Sequence, residues 1–369
     1  MTGNPLLTLQ ALGQSVWQDD LRRRWLSDGT IARLIAEDGL SGITSNPTTF
    51  HAAIAEHEDY DEDIRRLVRA GRPPEAVYQE LTVADVAAAA DLFRPCYDAT
   101  GGADGFVSLE VSPHLARDLE GTLAEARRLW RALGRPNVMI KVPATAEGVR
   151  ALRRLVAEGI NVNATLLFSV ERYREIAQAH LEALDERARA GQPVDRVASV
   201  ASFFLSRIDT LVDAQLDAAA RADPAAAEAA RSLRGGAAIA QARLAYQAYR
   251  RLVREPRWTD LAARGARPQR LLWASTGTKD PAYGDVYYVE PLIGAETVTT
   301  LKPETLAAYR DHGNPARRLE EGLDAARALP HRLAAAGIDL EAAASRLEAE
   351  GIEKFVEPYD RTLALLRAS

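Results

Sequence analysis

The chain has 369 residues with 46 Lys and Arg against 52 Asp and Glu, a formal net charge of −6 that excludes a strongly basic nucleic-acid binder. At 47% hydrophobic and 27% charged residues it has the apolar surface to offset chain ordering, so it is not disordered, and its length suits two ordinary domains or one large barrel with extra helices. The single cysteine, Cys96, cannot form an intramolecular disulfide, and the six histidines show no HxxxH spacing, which argues against a disulfide framework or structural zinc; no metal or cofactor is expected.

The opening MTGNPLLTLQALG lacks the cationic start and apolar core of a signal peptide, and no apolar stretch approaches a bilayer-spanning length, so a cytoplasmic protein without membrane contact is expected. Beyond it, short apolar runs alternate with helical periodicity. The runs read as strands are SVWQ (15–18), GITS (42–45), FVSLEV (106–111), NVMIKVPA (137–144), INVNATLLF (160–168), VASVASFFL (197–205), RLLWAS (270–275) and DVYYVEPLI (285–293). Between them lie amphipathic segments such as GTIARLIAED, TLAEARRLWRALG and EGVRALRRLVAEG. The alanine-rich stretch 222–253 keeps helical spacing and breaks at Gly235 and Gly236. Eight strand–helix units with no GxGxxG turn after the first strand predict an α/β protein, a closed (β/α)8 TIM barrel, over an open doubly wound sheet. Residues 1–369 read as one domain, with 302–369 as a helical C-terminal extension.

Of the 46 basic residues only four are lysines: Lys141, Lys279, Lys302 and Lys354. Lys302 and Lys354 read as chance survivors of an arginine-biased composition. Lys141 stands within the apolar strand NVMIKVPA, where an ammonium ion is costly to bury and desolvation disfavours its charge. The structural reading is a buried pair with an interior carboxylate such as Glu110. The functional reading is a Schiff-base nucleophile, a role closed to arginine, which cannot lose its proton and add to a carbonyl.

Schiff-base chemistry also needs a proton donor to expel water, a base for C–C cleavage and donors to hold the substrate's hydroxyls. Polar residues recur at or near the strand ends: Asp19 after SVWQ, Asn46 after GITS, Glu110 in FVSLEV, Asn163 and Thr165 in INVNATLLF, and Ser202 in VASVASFFL. Each alone reads as a turn or cap. Their recurrence around one buried lysine points to a site.

In order, SVWQDDL, GITSNPTTF, VSLEVSPHLARD, NVMIKVPATAEG, GINVNATLLFS, VASFFLSRID and WASTGTKDP resemble the transaldolase family, most closely its longer bacterial form, over nearly the whole chain. The resemblance implies a (β/α)8 barrel of the class I aldolase type with the Schiff-base lysine, here Lys141, on the fourth strand. It implies that Asp19, rather than its neighbour Asp20, is the acid/base aspartate, and that Glu110 and Thr165 position a catalytic water. Thr44, Asn46, Asn163 and Ser202 match substrate-binding positions, and Arg207 matches a phosphate-binding arginine, against the bland reading of an ion pair with Asp209. A departure follows the seventh strand, where ASTGTKDP keeps Ser275 but lacks a second phosphate-binding arginine; Lys279 is the nearest cation to replace it.

The implied activity moves a dihydroxyacetone unit from fructose 6-phosphate or sedoheptulose 7-phosphate to glyceraldehyde 3-phosphate or erythrose 4-phosphate, in the pentose phosphate pathway. The partners are thus small sugar phosphates. Three alternatives stay open: an aldolase of the same class that releases free dihydroxyacetone, a transaldolase of a specialised pathway, and a sugar-phosphate-binding protein without catalysis.

Overall fold

Strands covered on both faces must be short and buried almost throughout. That describes β1 (Gln14–Asp19), β2 (Gly42–Thr44), β3 (Phe106–Glu110), β4 (Val138–Pro143), β5 (Val162–Leu167), β6 (Ser199–Phe204), β7 (Arg270–Ala274) and β8 (Thr297–Leu301). In the computed structural model, which describes residues 3–223 and 227–369, each strand pairs in parallel with the next and β8 returns to β1, closing the expected (β/α)8 barrel.

Seven of the eight expected strands form, with ends shifted by a residue or two. The eighth is corrected: DVYYVEPLI (285–293) is not a strand but turns and a short 3-10 helix, Glu290–Leu292. Its apolar and aromatic side chains pack between elements. The Tyr288 hydroxyl donates to Asp209 at 3.0 Å, and the Leu292 carbonyl accepts from Gln14 (2.8 Å) and from the Trp273 indole (3.0 Å). The strand that closes the barrel is TVTTL, a β-branched run whose threonines are buried polar residues of the interior. The break at Gly235 and Gly236 is as expected, lying just before the helix Ala237–Leu252; residues 224–226 of the alanine-rich stretch fall outside the described residues.

The helix after β4 shows how the barrel is clad. Ala146–Ala157 begins at Thr145, whose hydroxyl accepts from the Gly148 N–H, and buries Ala151, Leu152, Leu155 and Val156 along one face. Gly148 is required there, because a Cβ would fall 1.8 Å from the Pro143 carbonyl oxygen at the end of β4. The strand that carries Lys141 is thereby held tightly to its own helix.

The C-terminal helix, Leu340–Ala368, packs along the helices Pro47–Glu56, Pro74–Ala99 and Ser206–Ala222, which follow β2 and β6 or precede β3. Pro358 inside it cannot donate to the Lys354 carbonyl one turn earlier, and the Thr48 hydroxyl reaches that carbonyl at 3.5 Å. His51 Nδ1 lies 2.9 Å from the Thr362 hydroxyl and His114 Nε2 lies 2.7 Å from Asp360, so the helix is tied down at several points. No helix among the described residues is long and apolar enough to cross a membrane.

Candidate active site

Strand register builds the floor of the site. Glu110 of β3 is paired with Lys141 of β4, and Lys141 with Asn163 of β5, so three polar residues share one layer of the interior. Lys141 is 3% exposed; its Nζ lies 3.3 Å from Glu110 Oε2 and donates to the Ser45 carbonyl at 3.2 Å. Neither oxygen of Glu110 is hydrogen-bonded, and the buried Thr165 hydroxyl likewise has no partner. Burial outweighs the neighbouring ammonium, and the Glu110 carboxyl is pushed up to about 7, with Asp19 adding to the rise and Arg207 opposing it. The structural pairing and the catalytic reading of Lys141 are therefore compatible: the carboxyl beside its amine is one that holds a proton near neutrality and can deliver it.

Above this layer opens a cavity of about 670 Å³ at the C-terminal ends of the strands. Eight of the expected site residues line it: Asp19, Thr44, Asn46, Lys141, Ser202, Arg207, Ser275 and Lys279. Glu110, Asn163 and Thr165 do not: Glu110 and Asn163 flank Lys141 in its own layer, and Thr165 stands level with Pro143, two residues further along. Asn163 is reached through Ser202, whose hydroxyl donates to its Oδ1 at 2.7 Å, while its amide donates to Ser108 at 3.1 Å.

Asp19 ends β1 and accepts from the Thr44 hydroxyl at 3.0 Å; Thr44 lies 2.9 Å from the Thr300 hydroxyl, which completes a hydroxyl relay from β8. Asp20 turns elsewhere. It accepts from the Leu21 N–H at 2.8 Å, lies 3.7 Å from Arg22, and is pushed up to about 6 by burial against the pull of Arg22. Asn46 caps the helix Pro47–Glu56, its Oδ1 accepting from the Thr48 and Thr49 N–H groups, which leaves its amide nitrogen for the cavity.

Arg207 follows β6, with one guanidinium nitrogen buried and unpartnered and with the Phe204 and Phe355 rings 5.4 and 5.9 Å from its Cζ. Burial holds the guanidinium below its ordinary range. Asp209, the acid that the bland reading paired with it, is occupied by the Ala238 N–H and the Tyr288 hydroxyl. Ser275 has a φ of 54°, a left-handed backbone uncommon for a residue with a Cβ, and its hydroxyl lies 2.9 Å from Ser206. Leu166, just after Thr165, is also left-handed (φ 59°) within a register shift of β5. Local strain at two strand ends is what a site over-determined by its surroundings tolerates.

Sequence reasoning missed part of the wall. Lys302 and Lys354, read as incidental, both line the cavity, so all four lysines of the chain meet there. Lys279 is lowered from the ordinary lysine range by burial and then by Lys302 and Arg207, which marks these cations as neighbours. The C-terminal helix adds Arg346, Glu350 and Phe355. Among the described residues six basic and two acidic side chains line the cavity, a surplus of four in a chain of net charge −6. The lysine count was the one available signal. Trp17, two positions before the acid that ends β1, is a packing residue: its indole donates to Asp104 at 2.8 Å and its ring meets Phe106.

Fold and site together define a (β/α)8-barrel enzyme with a buried lysine at the floor of an anion-attracting cavity. A family model described as Transaldolase/Fructose-6-phosphate aldolase matches residues 16–366. The chain is 50% identical over 353 residues to a transaldolase of Thiobacillus denitrificans, covering 96% of this chain and 97% of that protein. It is 47% identical to a transaldolase of Thermobifida fusca (98% and 97% covered) and 44% identical to one of Trichodesmium erythraeum (97% and 96%). The chain belongs to the transaldolase/fructose-6-phosphate aldolase family.

Proposed function

We propose that the protein is a transaldolase that carries a dihydroxyacetone unit from a ketose phosphate to an aldose phosphate as a Schiff base on Lys141. The observation that carries this reading is the buried Lys141 amine, 3.3 Å from a carboxyl raised to about 7 and open to a cavity with surplus positive charge.

The amine of Lys141 attacks C2 of the donor, fructose 6-phosphate or sedoheptulose 7-phosphate, to give a carbinolamine. Glu110 and Thr165, whose buried oxygens are free to hold a water between them, pass a proton to the departing hydroxyl and leave the iminium. Asp19, held by Thr44, takes the proton of the C4 hydroxyl; the C3–C4 pair flows into the iminium and the aldose phosphate leaves. An incoming aldehyde, such as glyceraldehyde 3-phosphate or erythrose 4-phosphate, reverses these steps. Asn46, Asn163 and Ser202 supply neutral hydrogen bonds to the hydroxyls. Arg207, with Ser275 and the exposed Lys279, holds the phosphate and so orients the distant carbonyl. The steps use this chain's own side chains, and the pathway they serve is pentose phosphate interconversion in the cytoplasm.

The test is intact mass after incubation with fructose 6-phosphate and borohydride. The expected product is one reduced three-carbon adduct, mapped to Lys141. An adduct on Lys279, or none, overturns the assignment. Product analysis with and without an acceptor aldehyde separates a transferase from an aldolase, which would release dihydroxyacetone equally in both.

A further inference from the structure

A transferase of this type must keep a reactive enamine waiting in water. The enamine can take a proton on the former C3; hydroxide then adds at C2, the Lys141 amine is expelled, and free dihydroxyacetone is lost with net consumption of one water. Alternatively the same carbon attacks the acceptor aldehyde, whose oxygen takes the proton held by Asp19. The partition depends on what stands beside that carbon, which is two bonds from Lys141 Nζ.

We infer that Phe355 of the C-terminal helix shields the enamine on Lys141 and thereby commits it to transfer. This rests on the Schiff-base reading of Lys141. The Phe355 ring centroid lies 5.7 Å from Lys141 Nζ and 5.9 Å from Arg207 Cζ, so one apolar ring bridges the reacting amine and the phosphate-binding cation. The residue is 2% exposed and forms part of a cavity wall where Phe204, Leu211 and Leu347 also stand among charged and hydroxyl groups, and of these apolar side chains it is the one found against Lys141 Nζ. Its ring therefore displaces water at the side of the cavity where the C-terminal helix crosses. The π-face also favours a cation at Nζ, which supports the iminium that precedes the enamine.

The helix is built to bring the ring this close. Gly351, one turn earlier, would as any other residue place its Cβ 3.0 Å from Leu166 Cδ2 and 3.6 Å from Arg207 Nη1. One turn later, Pro358 frees the carbonyl of Lys354 that Thr48 of the neighbouring helix reaches. Close approach before Phe355 and a tie after it fix the position of the ring.

The experiment compares wild type with Phe355→Ala, Phe355→Val and Phe355→Leu, using fructose 6-phosphate and erythrose 4-phosphate. Sedoheptulose 7-phosphate formed and dihydroxyacetone released are measured in the same reaction. The transfer-to-release ratio should fall by about tenfold or more in the Ala variant, less in Val, and stay within about threefold in Leu, which keeps the apolar bulk. If the Ala variant does not fold, Val against Leu carries the measurement. An unchanged ratio in folded Ala or Val variants, or transfer and release falling together, overturns the inference. Borohydride trapping of the wild type is run alongside. Its failure would remove the Schiff-base reading, whereas trapping with an unchanged ratio would remove only the role of Phe355.

Discussion

The floor and the rim of the cavity solve different problems. On the floor, Lys141 and Glu110 are buried, paired by strand register and isolated from solvent, so each contact is strong and each loss uncompensated. On the rim, Lys279 and Lys302, after β7 and β8, and Arg346 and Lys354 of the C-terminal helix are exposed side chains, where water and salt weaken every individual charge. On the proposed mechanism the floor supplies chemistry through a few irreplaceable groups and the rim supplies attraction through many replaceable ones. Arg207 stands between them, half-buried, with one buried guanidinium nitrogen left without a partner.

That contrast is tested most severely at Lys141. Lys141→Arg keeps the charge beside Glu110 but cannot form an imine, and both borohydride trapping and turnover should fall by about four orders of magnitude or more. Asp19→Asn should separate binding from cleavage: the donor imine still forms and is trapped, while turnover falls about 10²- to 10⁴-fold. Asp20→Asn should stay near wild type, because Asp20 is engaged by Leu21 and Arg22 outside the cavity. The opposite pattern would exchange the roles of the two aspartates.

Glu110 gives the floor a pH signature. Its carboxyl is raised to about 7, so the proton is held below that pH and lost above it. If that proton assists the loss of hydroxide, the single-turnover rate of imine formation should decline as pH rises through about 7. Glu110→Gln should lower the rate about 100-fold and flatten the limb. A limb that persists unchanged in Glu110→Gln would belong to another group.

What the sequence made legible follows the same division. Lys141, Glu110 and Asn163 could be read because a polar residue inside an apolar strand run is costly, and the register that joins them follows from β3, β4 and β5 being consecutive. The eighth strand was misread because DVYYVEPLI has the composition of a strand but serves as packing, whereas TVTTL hides its strand character behind three buried hydroxyls, of which Thr300 reaches the cavity. Phe355, Glu350 and Arg346 were illegible for a different reason. Their helix lies far along the chain, and only tertiary docking through Thr48, His51 and His114 brings it over the barrel mouth. Lys302 and Lys354 were half-legible: their rarity was visible, but their convergence required the fold.

The smallest expected effects are on the rim, and they decide whether its charge surplus is functional. Arg207→Ala sets the scale. A half-buried, charge-assisted contact to phosphate is worth about ten- to a hundredfold in the KM for fructose 6-phosphate, with little change for any slow reaction of unphosphorylated fructose. Lys302→Ala removes an exposed cation that acts on Lys279 and, by its place in the cavity wall, on the same phosphate. Exposed charges are worth little singly, so KM should rise only about two- to fivefold at low ionic strength. The rise should shrink towards nothing as salt approaches the point where the Debye length falls to a few ångströms, about 1 M. The kcat should not move. A loss in Lys302→Ala that resists salt would mean a direct contact with phosphate, taking the place of the arginine missing after β7. A loss confined to kcat would instead draw Lys302 into the Asp19 network, since its charge also reaches Asp20 beside it.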